Sequence, residues 1–463
     1  MLLLSTVVSL PCTATILFNM KYKVLHNNLE TNNTPLQGMG TVSFEEATVK
    51  GQAPGKGLYF PESIPILPKD FIANIRSYSK EEIGFTVMKP FVGESIPDDV
   101  LQNIVNETIN FNFPLVKVKE NIYALELFHG PTLAFKDVGA RFMSRCLGYF
   151  NRNKEQKTTV LVATSGDTGG AVANGFLGVK GVDVIILYPS KKVSPVQELQ
   201  LTTPGQNITA IEVKGSFDDC QAIVKQAFTD ADLDKKYSLT SANSINVARW
   251  LPQQLYYFYA YQQWANEEPP IICVPSGNFG NICAGILAHV SGLPVKHFIA
   301  ACNSNDVVPQ FLKTGNYTPK ATTATISNAM DVGNPSNFIR ILELFQQQVD
   351  NLKSIVSSVS VDDVTTEETM MDVFKQYNYV LDPHGAVAYT ALNEYMNNSA
   401  SAENTGGIFL ETAHPVKFPE VVEAVTHKKI DVPDSVEYLF GKERKSIELD
   451  ASFAAFKEWM LSR

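Results

Sequence analysis

At 463 residues the chain is too long for one hydrophobic core, and 44% apolar with 19% charged residues describes a folded globular protein rather than a disordered one. A formal net charge of −10 argues against nucleic acid or an anionic membrane surface as the main partner, since both need a concentrated basic face. An anionic small molecule stays open, because a few cations and backbone amides can line one pocket of an acidic protein.

Residues 1–19, MLLLSTVVSLPCTATILFN, are apolar but lack Lys and Arg and are broken by Pro11, which suits neither a membrane span nor a targeting sequence. We expect a disordered extension or a mis-assigned start there, with Met20 opening the folded protein. Residues 20–110 mix turn signals such as QAPGKGLYFPESIPILP with the helically spaced DDVLQNIVNETINF, which predicts a small N-terminal domain. From 111 to 425, Val- and Ile-rich runs recur at 158–164, 182–188, 207–213, 270–275, 295–302 and 407–412. Helical patterns lie between them, among them FDDCQAIVKQAF and the stretch 247–261. That alternation predicts an α/β fold with parallel sheets covered on both faces, within which about 140–260 forms a smaller subdomain. Residues 426–463, charged and helical in pattern, are expected to form a C-terminal cover. Cys12, Cys146, Cys220, Cys273, Cys283 and Cys302 form no C-x-x-C pair, so the sequence points to no metal site, no disulfide framework and a reducing compartment.

Three segments carry chemistry. VLVATSGDTGGAVANGF (160–176) and IICVPSGNFGNICAGIL (271–287) each run from an apolar strand through a glycine-rich turn into a helix. Glycine lets the backbone approach a ligand closely, and the free amides of a helix start point at negative charge. One such turn is as well explained by a tight strand-to-helix connection; two suggest one ligand with two anionic groups, or two ligands. Neither reads G-x-G-x-x-G, and no G-x-x-x-x-G-K-[ST] occurs, so dinucleotide and P-loop fingerprints are absent. In LELFHGPTLAFKDVGARFM (125–143), Lys136 follows Leu133, Ala134 and Phe135. A lysine desolvated in this way offers a neutral amine to an aldehyde, although a lysine in such a setting, taken alone, more often runs along the surface with its ammonium in water.

FHGPTLAFKD, ATSGDTGG, SANSIN, VPSGNFGN, ISNAMDVGNPSN and ETAHPVKF, in this order, resemble the threonine synthases of bacteria and fungi over nearly the whole chain from Met20. The resemblance implies a pyridoxal-phosphate enzyme of fold type II, with two parallel-sheet α/β domains around a cleft plus the small N-terminal domain. It implies Lys136 as the Schiff-base lysine and main proton shuttle. Ser276, Gly277, Asn278, Phe279 and Gly280, with Asn281, would cradle the pyridoxal 5'-phosphate phosphate, and Thr412 would meet its pyridine nitrogen. Thr164, Ser165, Gly166, Asp167 and Thr168 would wrap the substrate's α-carboxylate, and Asn243, Ser244 and Arg249 would take its phosphate. Asn303, Asp306 and Ser327–Asp331 would line the same cleft, and Gly170 stands where relatives often carry Ala. The implied activity converts O-phospho-L-homoserine and water into L-threonine and phosphate, in a cytoplasmic monomer or homodimer with no nucleic-acid or membrane partner. Three readings compete with it: a dehydratase or phospholyase of the same fold, a non-catalytic binder, and a nucleotide-binding oxidoreductase.

Overall fold

The computed structural model describes residues 19–26, 40–399 and 405–463. The expectation for the N-terminal extension therefore falls, except for Asn19, outside the described residues. Two large sheets organise the molecule. The first has six strands, in spatial order Val356–Ser360, His297–Cys302, Ile271–Pro275, Gly407–Glu411, Ile122–Glu126 and Leu115–Lys119. Its first five strands are parallel, and the last closes an antiparallel hairpin. The second is wholly parallel, in the order Ile447–Asp450, Ile208–Lys214, Val182–Pro189, Thr158–Ala163 and Ser238–Ser241. All six apolar runs of the sequence are strands here, displaced by at most two residues at an end.

Burial explains why those runs are unbroken rather than alternating. Every residue of Thr158–Ala163, Ile271–Pro275 and Gly407–Glu411 is buried, because helices cover both faces. Helix Pro383–Asn398 packs against the six-stranded sheet beside Phe409 and Cys273. Helices Phe217–Ala227 and Phe453–Ser462 pack on the five-stranded sheet around Leu161, Ile185 and Phe456. The Phe217 helix starts on a reciprocal cap in which Ser216 and Asp219 satisfy each other's backbone N–H. A two-stranded antiparallel ribbon, Tyr22–Leu25 with Leu58–Pro61, belongs to the N-terminal part of the chain. That part joins the main core through Phe44, whose ring lies 6.4 Å from Phe142 and 6.2 Å from Phe150.

The five-stranded sheet draws four strands from residues 158–241, inside the stretch expected as a smaller subdomain. Its fifth strand comes from the C-terminal segment, which is not helical throughout. Ile447–Asp450 sits on the sheet edge, paired with Ile208–Lys214 and packing Leu449 against the core; its apolar/polar alternation spans only four residues within a charged segment. No helix among the described residues is long and apolar enough to cross a membrane.

One feature of the topology positions function. The segments 164–169, 276–281 and 412–414, the turn before Lys136 and the segment 242–249 all follow the carboxyl ends of parallel strands. In open α/β sheets, ligands bind in the crevice at those ends.

Candidate active site

Lys136 opens the helix Lys136–Asn151 after a compact turn. Leu133 takes φ +58° there, and the Thr132 N–H and hydroxyl both donate to the buried Asp137 carboxyl, the N–H at 2.9 Å. Burial raises the Asp137 carboxyl above its ordinary value against these hydrogen bonds. The Phe135 carbonyl accepts from the Tyr256 hydroxyl, while the Phe135 N–H donates to the Thr412 carbonyl at 2.9 Å. An antiparallel bridge between Ala134 and Ala413 completes this short ladder. Lys136 and Thr412, far apart in sequence, are thereby fixed side by side.

The Lys136 side chain is partly buried. Desolvation lowers its ammonium below the usual lysine value; the Asp167 carboxylate opposes this, and the cations Lys417 and Arg249 add to it. An amine so placed releases its proton more readily than one in water.

The first glycine turn is shaped from within. Thr164 Oγ1 accepts from the Gly166 N–H at 3.0 Å and the Gly169 N–H at 2.8 Å, so its hydroxyl is engaged in the turn itself. Gly166 sits at φ 138°, where a Cβ would come within 2.4 Å of the Gln197 side chain, so this position admits only glycine. Asp167, first residue of the helix Asp167–Phe176, is buried and turned inward. It accepts from Lys417 Nζ at 2.8 Å and Gln197 Nε2 at 2.9 Å. Burial works to raise its carboxyl, but Lys417 and Lys136 outweigh this and hold it far below the ordinary carboxylate range. Ser165 and Thr168 are half-buried beside it.

The second glycine turn is braced from three sides. Ser276 donates its hydroxyl to the Val274 carbonyl at 2.8 Å and its N–H to the Ala301 carbonyl at 2.7 Å. Gly277 lies against the Met330 backbone, and Phe279 adopts φ +60° before the helix Gly280–Val290. The first-turn N–H groups of that helix have no intrahelical acceptor. Asn281 Oδ1 accepts from the Tyr257 hydroxyl at 2.9 Å, while its Nδ2 is buried without a partner. Asn278 Nδ2 donates to Ser244 Oγ at 2.6 Å, and Asn337 Nδ2 donates to the same oxygen at 3.1 Å. Ser244 thus stands in the wall of this turn, whereas the sequence grouped it with Asn243 and Arg249 alone.

Arg249 is 3% exposed. Its Nη1 donates to the Ala242 carbonyl at 2.8 Å, and its Nε is buried without a partner. Burial lowers this guanidinium to about 10. The residue lies against Gly139, one turn along the helix from Lys136; a Cβ on Gly139 would sit 3.2 Å from Arg249 Nε. Asn243 Oδ1 is likewise buried and unpartnered. A buried cation with a spare donor is costly unless an anion meets it.

Several residues of the site escaped the sequence reading. Arg340, fully buried, donates to the carbonyls of Ser244, Ile245 and Tyr59 and so fixes the 244–245 segment. Asn337 secures Asn278 and Ser244. Gln197, Gln200 and Lys417 converge on Asp167 and Thr132. Lys417 and Asn337 carried a signal, since they lie within the ETAHPVKF and ISNAMDVGNPSN motifs.

These residues fit pyridoxal 5'-phosphate. Lys136 is a desolvated amine for its aldehyde, and the turn 276–281 offers amides, including the orphaned Asn281 Nδ2, for its phosphate. Fold and site together define a pyridoxal-phosphate-dependent enzyme. The model of that enzyme family matches residues 109–408, that of the threonine synthase N terminus matches 34–109, and that of the threonine synthase C-terminal region matches 385–460. The threonine synthase of Escherichia coli (strain K12) is 44% identical over 91% of this chain and 97% of its own length. Its crystal structure superposes with a TM-score of 0.84 at the same coverage, and the pyridoxal-phosphate-bound threonine synthase of Brucella melitensis does so with 0.86 at 33% identity, over 95% of this chain and 98% of its own. The chain belongs to the threonine synthase family.

Proposed function

We infer that this chain converts O-phospho-L-homoserine and water into L-threonine and phosphate, with Lys136 as the lysine that holds pyridoxal 5'-phosphate. Bound, the cofactor supplies the aldehyde that takes up the substrate amine and the electron-withdrawing ring that acidifies Cα and Cβ. Lys136 removes and returns protons at those carbons, a task suited to an amine whose ammonium is lowered by desolvation. Amides of residues 276–281 would hold the cofactor phosphate, and Thr412 would offer the ring nitrogen a neutral hydroxyl. The Ser165–Gly169 turn takes the α-carboxylate on the amides at the start of its helix. Arg249 with Asn243 grips the phosphate that departs from Cγ, and Ser244 braces the boundary between the two phosphate positions. Water adds its hydroxyl at Cβ. The protein acts in the cytoplasm as a monomer or homodimer.

The observation that carries this reading is the Arg249 guanidinium, buried with an unpaired Nε beside the helix that Lys136 opens, at a distance in sequence from the cofactor turn. A dehydratase of the same fold has no need of a second phosphate grip. The test is a product assay with purified protein, supplied cofactor and phosphohomoserine, in which threonine and 2-oxobutanoate are both followed. Threonine as the main product is expected, and exclusive oxo-acid formation would reject the assignment. Lys136→Ala is expected to abolish the visible band of the bound cofactor and to lower turnover by more than about a hundredfold.

A further inference from the structure

Lys417 lies five residues beyond Thr412 and is 0% exposed. Its ammonium makes three hydrogen bonds, to Asp167 Oδ1 at 2.8 Å, the Thr132 carbonyl at 2.9 Å and Gln200 Oε1 at 3.0 Å. Gln200 Nε2 donates to the same Thr132 carbonyl at 3.1 Å, and Gln197 Nε2 to the same Asp167 oxygen at 2.9 Å. One buried cation therefore ties together the turn before Lys136, the Ser165–Gly169 turn, the helix Pro195–Thr202 and the segment after Thr412. A network of this extent around one ammonium goes beyond what packing requires, because a buried ion pair is no better for stability than apolar residues of equal volume.

The charges around Lys136 suggest what the arrangement is for. Asp167, Lys417 and Arg249 all act on it, and Asp137 lies next in the chain, already held by Thr132. Of these, Asp167 is the carboxylate that favours the Lys136 ammonium, yet its ion pair is with Lys417. Without Lys417, Asp167 would be a buried anion, and Lys136 is the other cation whose charge acts on it.

We propose that Lys417 is a positioning residue for the reaction: by holding Asp167 and the Ser165–Gly169 turn, it keeps the Lys136 amine free of an ion pair and available to cofactor and substrate. The proposal rests on Lys136 being the amine that carries the cofactor. Its test does not use turnover. Lys136 of the cofactor-free protein is carbamylated with cyanate over a range of pH, and its modification rate, read by mass spectrometry of the Lys136 peptide, gives the fraction of free amine.

Lys417→Met is expected to leave about tenfold less free amine at a fixed pH below the midpoint, because Asp167 swings to Lys136. The double variant Lys417→Met/Asp167→Asn is expected to regain the wild-type midpoint. An unchanged midpoint in the single variant, or a double variant that keeps the single's shift, would overturn the proposal. Where the single variant does not fold, the double is compared with Asp167→Asn. Removal of Lys417 should then change the free-amine fraction less than about threefold, and a tenfold fall would show Lys417 acting as a bare charge rather than through Asp167. A wrong assignment of Lys136 would show separately, as a cofactor band that survives in Lys136→Ala.

Discussion

Glu411 is fully buried, and neither of its carboxyl oxygens has a partner as an ionised group; Asp382 Oδ2, which it faces, is in the same position. Two carboxylates cannot hydrogen-bond each other, but one proton between them satisfies both. Burial, and then the neighbouring Asp382, push the Glu411 carboxyl well above its usual value. For Asp382 burial acts in the same direction, yet His384 and the contact with Glu411 outweigh it and leave that carboxyl below the ordinary range. Glu411 is therefore the protonated member, donating to Asp382, whose other oxygen meets His384 Nδ1 at 2.5 Å. Because the folded value of Glu411 lies above the unfolded one, its contribution to stability is complete in acid and is lost as pH rises through the folded value. Glu411→Gln keeps a permanent N–H donor in place. It should match the wild type within about 1 kcal/mol in denaturant unfolding at pH ~4.3, where an unfolded glutamate titrates, and become the more stable of the two as pH rises above that. Parallel curves at all pH values would mean that Glu411 holds no such proton.

The glycine turns act as whole elements, since strand, turn and helix each fix the next. A Cβ on Gly277 would come 2.6 Å from Met330 Cα, a backbone atom that cannot move aside as a side chain can. Gly277→Ala should therefore displace the 276–281 turn from the 328–330 segment and weaken cofactor binding by at least about tenfold, measured by titration of the visible band. Overpacking of this kind costs about 1–3 kcal/mol. Unaltered affinity would place the cofactor phosphate elsewhere. Turns of this type were legible in the sequence because glycine marks where backbone must pass close to something. The strands before them were legible because a short, unbroken apolar run bounded by turn residues is long enough for a buried strand and too short for a helix. Seven of the thirteen strands among the described residues were not legible. Among them Ser238–Ser241, Val356–Ser360 and Ile447–Asp450 are edge strands of four or five residues that mix polar with apolar side chains, too short for a pattern to stand out and placed by pairing with a neighbour's backbone. The inner brace of the site was hidden for a related reason. Lys417 meets Gln200 across 217 positions and Thr132 across 285, and Arg340 meets Tyr59 across 281, and no local pattern encodes such contacts.

At the scale of the whole molecule, a chain of net charge −10 carries Lys136, Lys417 and Arg249 around one crevice, with Asp167 as the anion paired among them. That local excess of positive charge suits a substrate bearing a carboxylate and a phosphate, which the acidic exterior would not attract. Two partly buried histidines bear on a second global property, stability against acid. His297 stacks on Tyr395 at 4.9 Å in the six-stranded sheet, and His414 accepts the Val416 N–H on Nδ1 at 3.1 Å beside the site. Burial lowers both to about 4, which for His414 is reinforced by His129. An unfolded histidine titrates near ~6.5, so between about 6.5 and about 4 the unfolded chain binds protons that the folded one refuses. The stability these neutral rings contribute is complete above about 6.5 and is lost as pH falls through about 4. Thermal unfolding followed from pH 7 to 4.5 should show a steady fall in Tm. The double variant His297→Gln/His414→Gln should flatten that fall, since glutamine keeps a polar side chain without a proton to gain. If the double variant loses Tm with the same slope, the acid sensitivity belongs to other groups, and the two histidines are not the desolvated neutral bases that their surroundings imply.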